Sequence, residues 1–514
     1  MTEGAETNGQ YDVDVVGGGV GGTYAAWRLA TGPASGGPLP PDPADRKVAL
    51  CELSNRIGGR LESLTPPGAP NLRAEFGGMG FTSANTIVTA LVDDVFKLPA
   101  EPFDMGTTAN LIYVRAVHFT KAQAGDPSVV PYKLAPGEQG KNPIQLIVDA
   151  IEAVLPGASS FTPAQWAKVK KTFVYEGRHL KDIGFWNFLS MNMSNEAFAY
   201  AHDGIGHFFQ VSNWNCAEAL PWFLGDGTAA YRTLVDGYEQ LPLTLAQAFG
   251  AAGGSVYTET RVATVTQDGA LLQVDLDGGP AVTAKAVVLA LPRRALELLG
   301  PETVVLSDPT VKRLVDTVSG HRVMKIFCCY DSPWWSPLGI TGGGSATDLP
   351  IGNVWYWGPN GDGNESSLLL ASYNDTLATT YWEGLASGPR FAGAPPADVD
   401  PYWAEQVPSD LMVQEVQRQL AEMHQVDVPA PYSAAFKDWS HDPYGGAFYT
   451  WNVGVDAETV ARRMPQPDPA VPLFVCGESY SHDQGWAEGA LDTAEQVVQK
   501  LGLEQPGWLA TKVT

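Results

Sequence analysis

Gly17, Gly19 and Gly22 stand in VVGGGVGGTYAA at the spacing G-x-G-x-x-G, and that spacing is suited to holding a phosphate against backbone amides. An apolar, β-rich run, Tyr11 to Val16, precedes them, and the helix-forming run Tyr24 to Ala30 follows. Strand, glycine turn and helix then supply one part each. Gly17 permits the tight turn, Gly19 lets a pyrophosphate approach the chain, and Gly22 lets the helix pack on the strand with its N-terminal amides facing the phosphates. The next strand-like run, Lys47 to Cys51, ends in Glu52, an acid suited to a ribose hydroxyl. Glu52 lies farther past Gly22 than the usual spacing of about 20 residues. The excess is Thr31 to Arg46, whose prolines and glycines read as a surface insertion. A dinucleotide is the expected ligand. A second reactive residue is Lys325, alone in the apolar run Met324 to Tyr330, where a lysine is costly without a partner. His202 and His207 lie five apart, off a shared helical face, so no metal site is expected.

The elements that position these residues must come from a long chain. Its 514 residues exceed one compact core and predict two or three domains. A hydrophobic share of 44%, with no apolar run of about 18 residues, reads as a globular enzyme and not a membrane protein. The net charge of −25 argues against nucleic acid or an anionic membrane as partner. Five scattered cysteines without C-x-x-C spacing predict free, buried thiols. The start MTEGAETNGQ has no secretory pattern, so a cytoplasmic location is expected. Homo-oligomerisation is left open.

Which dinucleotide binds is addressed by Arg56-Ile57-Gly58-Gly59-Arg60. This segment resembles the R-x-G-G-R signature of flavin-dependent amine oxidases, the superfamily of monoamine, polyamine and L-amino-acid oxidases. The resemblance recurs along most of the chain. Glu75-Phe76-Gly77-Gly78-Met79 is similar to the glycine pair beside the flavin ring, and Gly237-Tyr238 with Leu241-Pro242 to the segment returning to the cofactor domain. Val262, after Thr260-Arg261, resembles the strand whose backbone meets adenine, and Ala286 to Pro292 the strand closing that unit. Gly477-Glu478, followed by Gly485-Trp486-Ala487, is similar to the acid and helix closing the flavin site, and the Gly-Trp pair points to the L-amino-acid oxidase branch.

The resemblance implies an α/β fold: a Rossmann-like FAD-binding domain of the amine oxidase type, a mixed α+β substrate domain and a helical subdomain. The landmarks place the discontinuous FAD-binding domain at 9–64, 235–310 and 430–502, and the substrate domain, with its mainly helical part, at 65–234 and 311–429. Residues 1–8 and 503–514 are left as tails. Helical patterns run over Pro143 to Leu155 and Ala217 to Thr233, strand-like runs over Val323 to Tyr330 and Leu368 to Ser372, and Ser387 to Pro401 reads as a loop.

Chemistry follows residue by residue from the resemblance. Lys325 corresponds to the lysine that holds a water at the flavin N5. Phe448 and Trp486 correspond to the two walls between which the amine reaches the ring. Ala447 stands where monoamine oxidases carry a cysteine bonded to the flavin, which implies non-covalent FAD. Gly80 stands where L-amino-acid oxidases usually place an arginine on the substrate carboxylate. Tyr356 and Trp357 are partial candidates to replace it, and Gly485 completes the expected substrate wall. The leading expectation is oxidative deamination of an L-amino acid or derivative, with O2 reduced to H2O2 and ammonia released. The alternatives are an oxidase of a simple amine or carboxylate-masked amino acid, a decarboxylating monooxygenase, and a flavin-binding module without turnover.

Overall fold

The computed structural model describes residues 9–225, 230–361, 365–395 and 399–510. The strand-turn-helix expected from the glycine spacing forms the centre of the first sheet. Gln10–Val16, whose last five residues are buried, leads through the glycine turn into helix Val20–Thr31. Parallel partners flank this strand. Val48–Cys51 and then Ser255–Tyr257 lie on one side, and Val282–Leu289 on the other. The first half of Val282–Leu289 pairs antiparallel with Leu271–Leu276, which leads on to Val262–Asp268, while its second half pairs parallel with Leu473–Val475. Strands distant in sequence thus converge on the end of the sheet where the glycine turn lies, the end at which open α/β sheets bind ligands. Helices Val20–Thr31, Gln240–Ala251 and Ala487–Lys500 bury Leu29, Leu245 and Leu491 in one apolar core on this sheet.

The second seven-stranded sheet runs in the order Ser433–Asp438, Val323–Tyr330, Ser367–Asp375, Asn353–Pro359, Gly344–Thr347, Leu111–Val114, Val117–Thr120. All its pairs are antiparallel except Gly344–Thr347 with Leu111–Val114. Strand Val323–Tyr330 is buried on both faces, which explains its unbroken apolar reading. Ser433–Asp438 joins this sheet, although the sequence groups it with the cofactor segment beginning at 430. Edge pairing with the apolar run at 323–330 decides its place.

A group of helices covers 143–225. Pro143–Val154 and Pro163–Thr172 each begin with proline at the first position behind a reciprocal cap, Asn142 with Gln145 and Thr162 with Gln165. The helix expected over Ala217 to Thr233 is described over Cys216–Gly225 and does not include Ala230 or the residues after it. Tyr231–Leu234 is instead a strand between Phe81–Thr82 and Ala100–Pro102, because two β partners outweigh the local helical pattern. Two further segments depart from a simple loop reading. The insertion after Thr31 is anchored by the buried Arg46, which donates to the carbonyls of Leu29, Gly32, Pro40 and Pro41. The C-terminal segment from 503 is docked: Leu503 bridges Ala34 and Trp508 stacks on Trp27 at 6.4 Å. Within the described residues no helix is long and apolar enough to cross a membrane, and all five cysteines are free and buried.

Candidate active site

One cavity of about 860 Å³ runs from the glycine turn to the second sheet. That volume suits a large ligand together with a small one. At its first end the wall is backbone. Gly17, at φ +108°, packs so closely that a Cβ would meet the Ala290 carbonyl at 2.5 Å, and a Cβ at Gly22 would lie 1.8 Å from the Gly17 carbonyl. Gly22 therefore acts behind the wall, while Gly17 and Gly19 line it. Helix Val20–Thr31 opens on the cavity with Gly19 as N-cap and no side-chain cap, so its first amides are left for an anion. Glu52 lines the same end, one oxygen accepting from the Gly18 amide at 2.6 Å and the other from the Ser54 amide at 2.8 Å.

Arg56 folds the R-x-G-G-R loop onto itself by donating to the carbonyls of Gly59 and Leu61. Gly59 then lies against Gly19, where a Cβ would come within 3.0 Å of the Gly19 Cα. Arg60 reaches across the cavity to Glu478 at 2.6 Å and to the Ala447 carbonyl at 3.0 Å. Glu478, buried, also accepts from the Gly485 and Tyr449 amides, so one carboxylate ties three segments around the middle of the cavity. Gly477, Ala487 and Val262 line it as well, and helix Ala487–Lys500 again begins without a side-chain cap. Uncapped helix starts, a glycine cradle and an arginine paired with Glu478 form a set of groups that fits a flavin nucleotide.

The other end is side chain. Phe448 stacks on His321 at 5.0 Å and 19° and meets Phe209 edge-on at 4.6 Å. Trp486 packs near Tyr231 at 6.2 Å. Gly485, at φ +85°, leaves open the face of Phe448, whose ring lies 3.7 Å from where a Cβ would stand. Gly77, Gly78, Met79, Gly80 and Ala447 line the wall with them. Trp355, Tyr373 and His207 close this end, none of them singled out by sequence spacing. Strand pairing brings Trp355 and Tyr373 into one sheet, and His207, at the start of the turn Phe208–Val211, meets the Tyr373 ring edge-on at 4.5 Å.

Three expected site residues stand elsewhere. Lys325 is fully buried one layer behind the wall, donating to the carbonyls of Glu75 at 2.9 Å and Gly77 at 2.6 Å, with its ammonium 4.6 Å from the Tyr373 ring centre. Burial lowers its pKa to about 7, against the raising effect of Glu75, whose own carboxyl burial pushes up to about 7. Tyr356 faces away from the cavity, its hydroxyl 3.0 Å from Ser345 Oγ and 2.6 Å from His424 Nε2. Trp357 packs against Phe103 and Phe327 without lining the cavity. Strand alternation is the reason: Trp355 takes the inward place next to Tyr356.

Gly80 has a structural cause. A Cβ there would meet the Arg232 carbonyl at 2.4 Å, so the position faces the neighbouring strand and not open space. Arg232 itself turns to Asp93 and lies over Phe81. The cavity's cations are paired: Arg60 with Glu478, Lys170 with Glu218, and Arg261 within 3.9 Å of Asp277. Among the described residues one trio, Glu383, Asp438 and His441, brings potential metal-ligating atoms within 4.8 Å. Arg322 already occupies Glu383.

Comparison with known proteins agrees with this donor set. The family model described as flavin containing amine oxidoreductase matches residues 25–501. Aplysianin-A of Aplysia kurodai is 26% identical, covering 95% of this chain and 89% of its own, and achacin of Lissachatina fulica is 25% identical over 97% and 94%. An L-amino-acid oxidase of Naja atra is 25% identical over 72% of this chain and 68% of its own. The fold matches that of wild-type putrescine oxidase bound to putrescine, with a TM-score of 0.70, 17% identity, and coverage of 96% of this chain and 99% of that one.

Proposed function

The chain belongs to the flavin containing amine oxidoreductase family, and from that premise we propose that it is an oxidase using non-covalent FAD on an amine whose other end is uncharged, a simple amine or a carboxylate-masked amino acid. The products are an imine that hydrolyses with release of ammonia, and H2O2 from O2. The observation that carries the choice of substrate is the Arg232 carbonyl beneath Gly80, which leaves no room for a carboxylate-binding side chain there. The pairing of every lining cation named above points the same way. Free L-amino acids are the second reading, favoured by relatives named L-amino-acid oxidase.

Bound FAD would supply the hydride acceptor, N5 of its ring. The Gly17–Gly19 turn with the helix start at Val20 would hold the pyrophosphate, Glu52 the ribose, the Val262 backbone the adenine, and Gly477, Glu478 and Ala487 the ring end. Ala447 offers no thiol for a covalent bond, so denaturation should release intact FAD. Phe448 and Trp486 would confine the amine between aromatic faces and exclude water, which contributes mainly orientation. Lys325 would act from behind, fixing the Gly77 carbonyl at the wall and lending a positive charge that favours the reduced ring and superoxide during reoxidation.

The deciding experiment pairs each L-amino acid with its amide and its decarboxylated amine and follows peroxide release. The amide or amine should exceed the free acid in kcat/KM by about a hundredfold, the worth of a missing bidentate carboxylate clamp. A strong preference for the free acid would install the second reading. Lys325→Met should slow reoxidation by O2 more than anaerobic reduction by substrate, by about tenfold. Equal slowing would confine Lys325 to holding the wall.

A further inference from the structure

His207 lines the substrate end of the cavity, but its Nδ1 is buried, turned inward, and has no hydrogen-bond partner among the described residues. Behind it lies Asp375, the last residue of strand Ser367–Asp375 and wholly buried. Its Oδ2 is 3.9 Å from His207 Nδ1, and neither carboxylate oxygen has a hydrogen-bond partner among the described residues. The Phe209 amide, the Thr376 side chain and the Phe208 amide lie near it without reaching hydrogen-bond geometry, and a buried carboxyl so loosely held costs stability. Burial raises Asp375 to about 7, with the nearby Phe209 amide opposing the rise. Burial and then the Lys325 charge lower His207 to about 3, so the imidazole is neutral and has one N–H and one lone pair. The group facing one ring nitrogen decides which of the two carries the proton.

The geometry points to Asp375 as a positioning residue that keeps the His207 proton on Nδ1, so that Nε2 presents a lone pair to the cavity and selects substrates whose non-reacting end carries an N–H, such as a primary carboxamide. This deepens the carboxylate-masked reading and rests on it. An uncharged end is accepted because, among the described residues, Arg60, Lys170 and Arg261 in the cavity lining each face a carboxylate and Lys325 lies behind the wall on the Glu75 and Gly77 carbonyls, and an N–H is preferred because the free polar atom is an acceptor.

Benzamide and N,N-dimethylbenzamide test this, since they share a ring and a carbonyl and differ in the N–H. Neither has an oxidisable amine, so binding to the flavin-loaded protein is read from the flavin absorbance, at about pH 8.5 where Asp375 is ionised. The native protein should bind benzamide about tenfold more tightly than its dimethyl counterpart, the worth of one hydrogen bond. Asp375→Asn keeps the shape but offers its own N–H to Nδ1, which turns Nε2 into a donor and should erase or reverse the preference. A variant that weakens both amides by one factor would make Asp375 merely structural and overturn the proposal, as would equal binding by the native protein. If Asp375→Asn does not retain flavin, His207→Gln and His207→Phe decide. The glutamine, still an acceptor, should keep part of the preference and the phenylalanine none, and equal ratios in the two would overturn it. Failure of every amine to bleach the flavin would refute the oxidase reading and leave this binding ratio to be judged separately.

Discussion

The two ends of the cavity are made of different material. Around the glycine turn the wall is main chain: amides at the start of Val20–Thr31, the backbone of Gly17 packed on the Ala290 carbonyl, and those of Gly19 and Gly59 packed on each other. Beyond Phe448 it is side chain, with Trp355, Tyr373 and His207 drawn from segments that share no local pattern. A phosphate needs amides at fixed spacing, which a short run of chain can supply, whereas a small substrate needs a shape that any set of side chains can build. The first end therefore tolerates almost no change, and the second is open to redesign.

The largest expected effect breaks the backbone end. In Gly22→Val, the new Cβ would lie 1.8 Å from the Gly17 carbonyl and 3.1 Å from the Ala290 Cβ. Main chain cannot yield there, so the purified protein should contain no flavin. If it is yellow with full flavin content, the turn is not the phosphate cradle.

That contrast also explains what could be read from the sequence. The glycine spacing, the acid at Glu52 and the R-x-G-G-R loop are local, and so are the turn and helix they specify. The apolar run around Lys325 marked Val323–Tyr330 as a strand, and burial of the strand on both faces, which the sequence reading did not include, explains why the run is unbroken. Tyr356 was misplaced because a strand's two faces alternate and nothing in VWYWG states which face is inward. His207 was weighed only as a metal ligand with His202, for another reason: Asp375, the carboxyl beside it, is 168 positions away and meets it only after the second sheet has formed. The missing arginine at Gly80 was legible, but its cause, a carbonyl on a strand at Tyr231–Leu234, was hidden behind a helical pattern.

An intermediate effect sharpens the comparison beneath the backbone end. Asp14 is wholly buried in the central strand, with the Cys51 thiol 3.6 Å from Oδ1 and no hydrogen-bond partner at Oδ2 among the described residues. Burial raises its pKa from 3.8 to about 7. Because the folded value lies above the unfolded one, the folded state binds the extra proton, and stability falls as pH rises from about 4 to about 7 and is flat beyond. The loss is on the order of 4 kcal/mol. Asp14→Asn should flatten that fall and raise the melting temperature at about pH 8 by several degrees. An unchanged pH profile would mean that Asp14 is ionised at little cost, through a partner supplied by bound flavin.

The smallest effect concerns the far face of the substrate sheet, where Tyr356 stands beside a wall it does not reach. Its ring belongs to the core containing Trp335 and Leu369, and its hydroxyl sits between Ser345 and His424. His424 Nδ1 lies 2.8 Å from the Leu420 carbonyl, to which it must donate, so Nε2 accepts the tyrosine proton; burial keeps the imidazole neutral by lowering it to about 4. Tyr356→Phe leaves that nitrogen without a donor in a dry core, at a cost of about 1–2 kcal/mol. The melting temperature should fall by a few degrees while KM and the amide-to-acid ratio stay within about twofold. The same substitution would behave otherwise if Tyr356 helped to hold substrate: KM would rise with stability unchanged, and the outward face of this strand would have to be counted as part of the site.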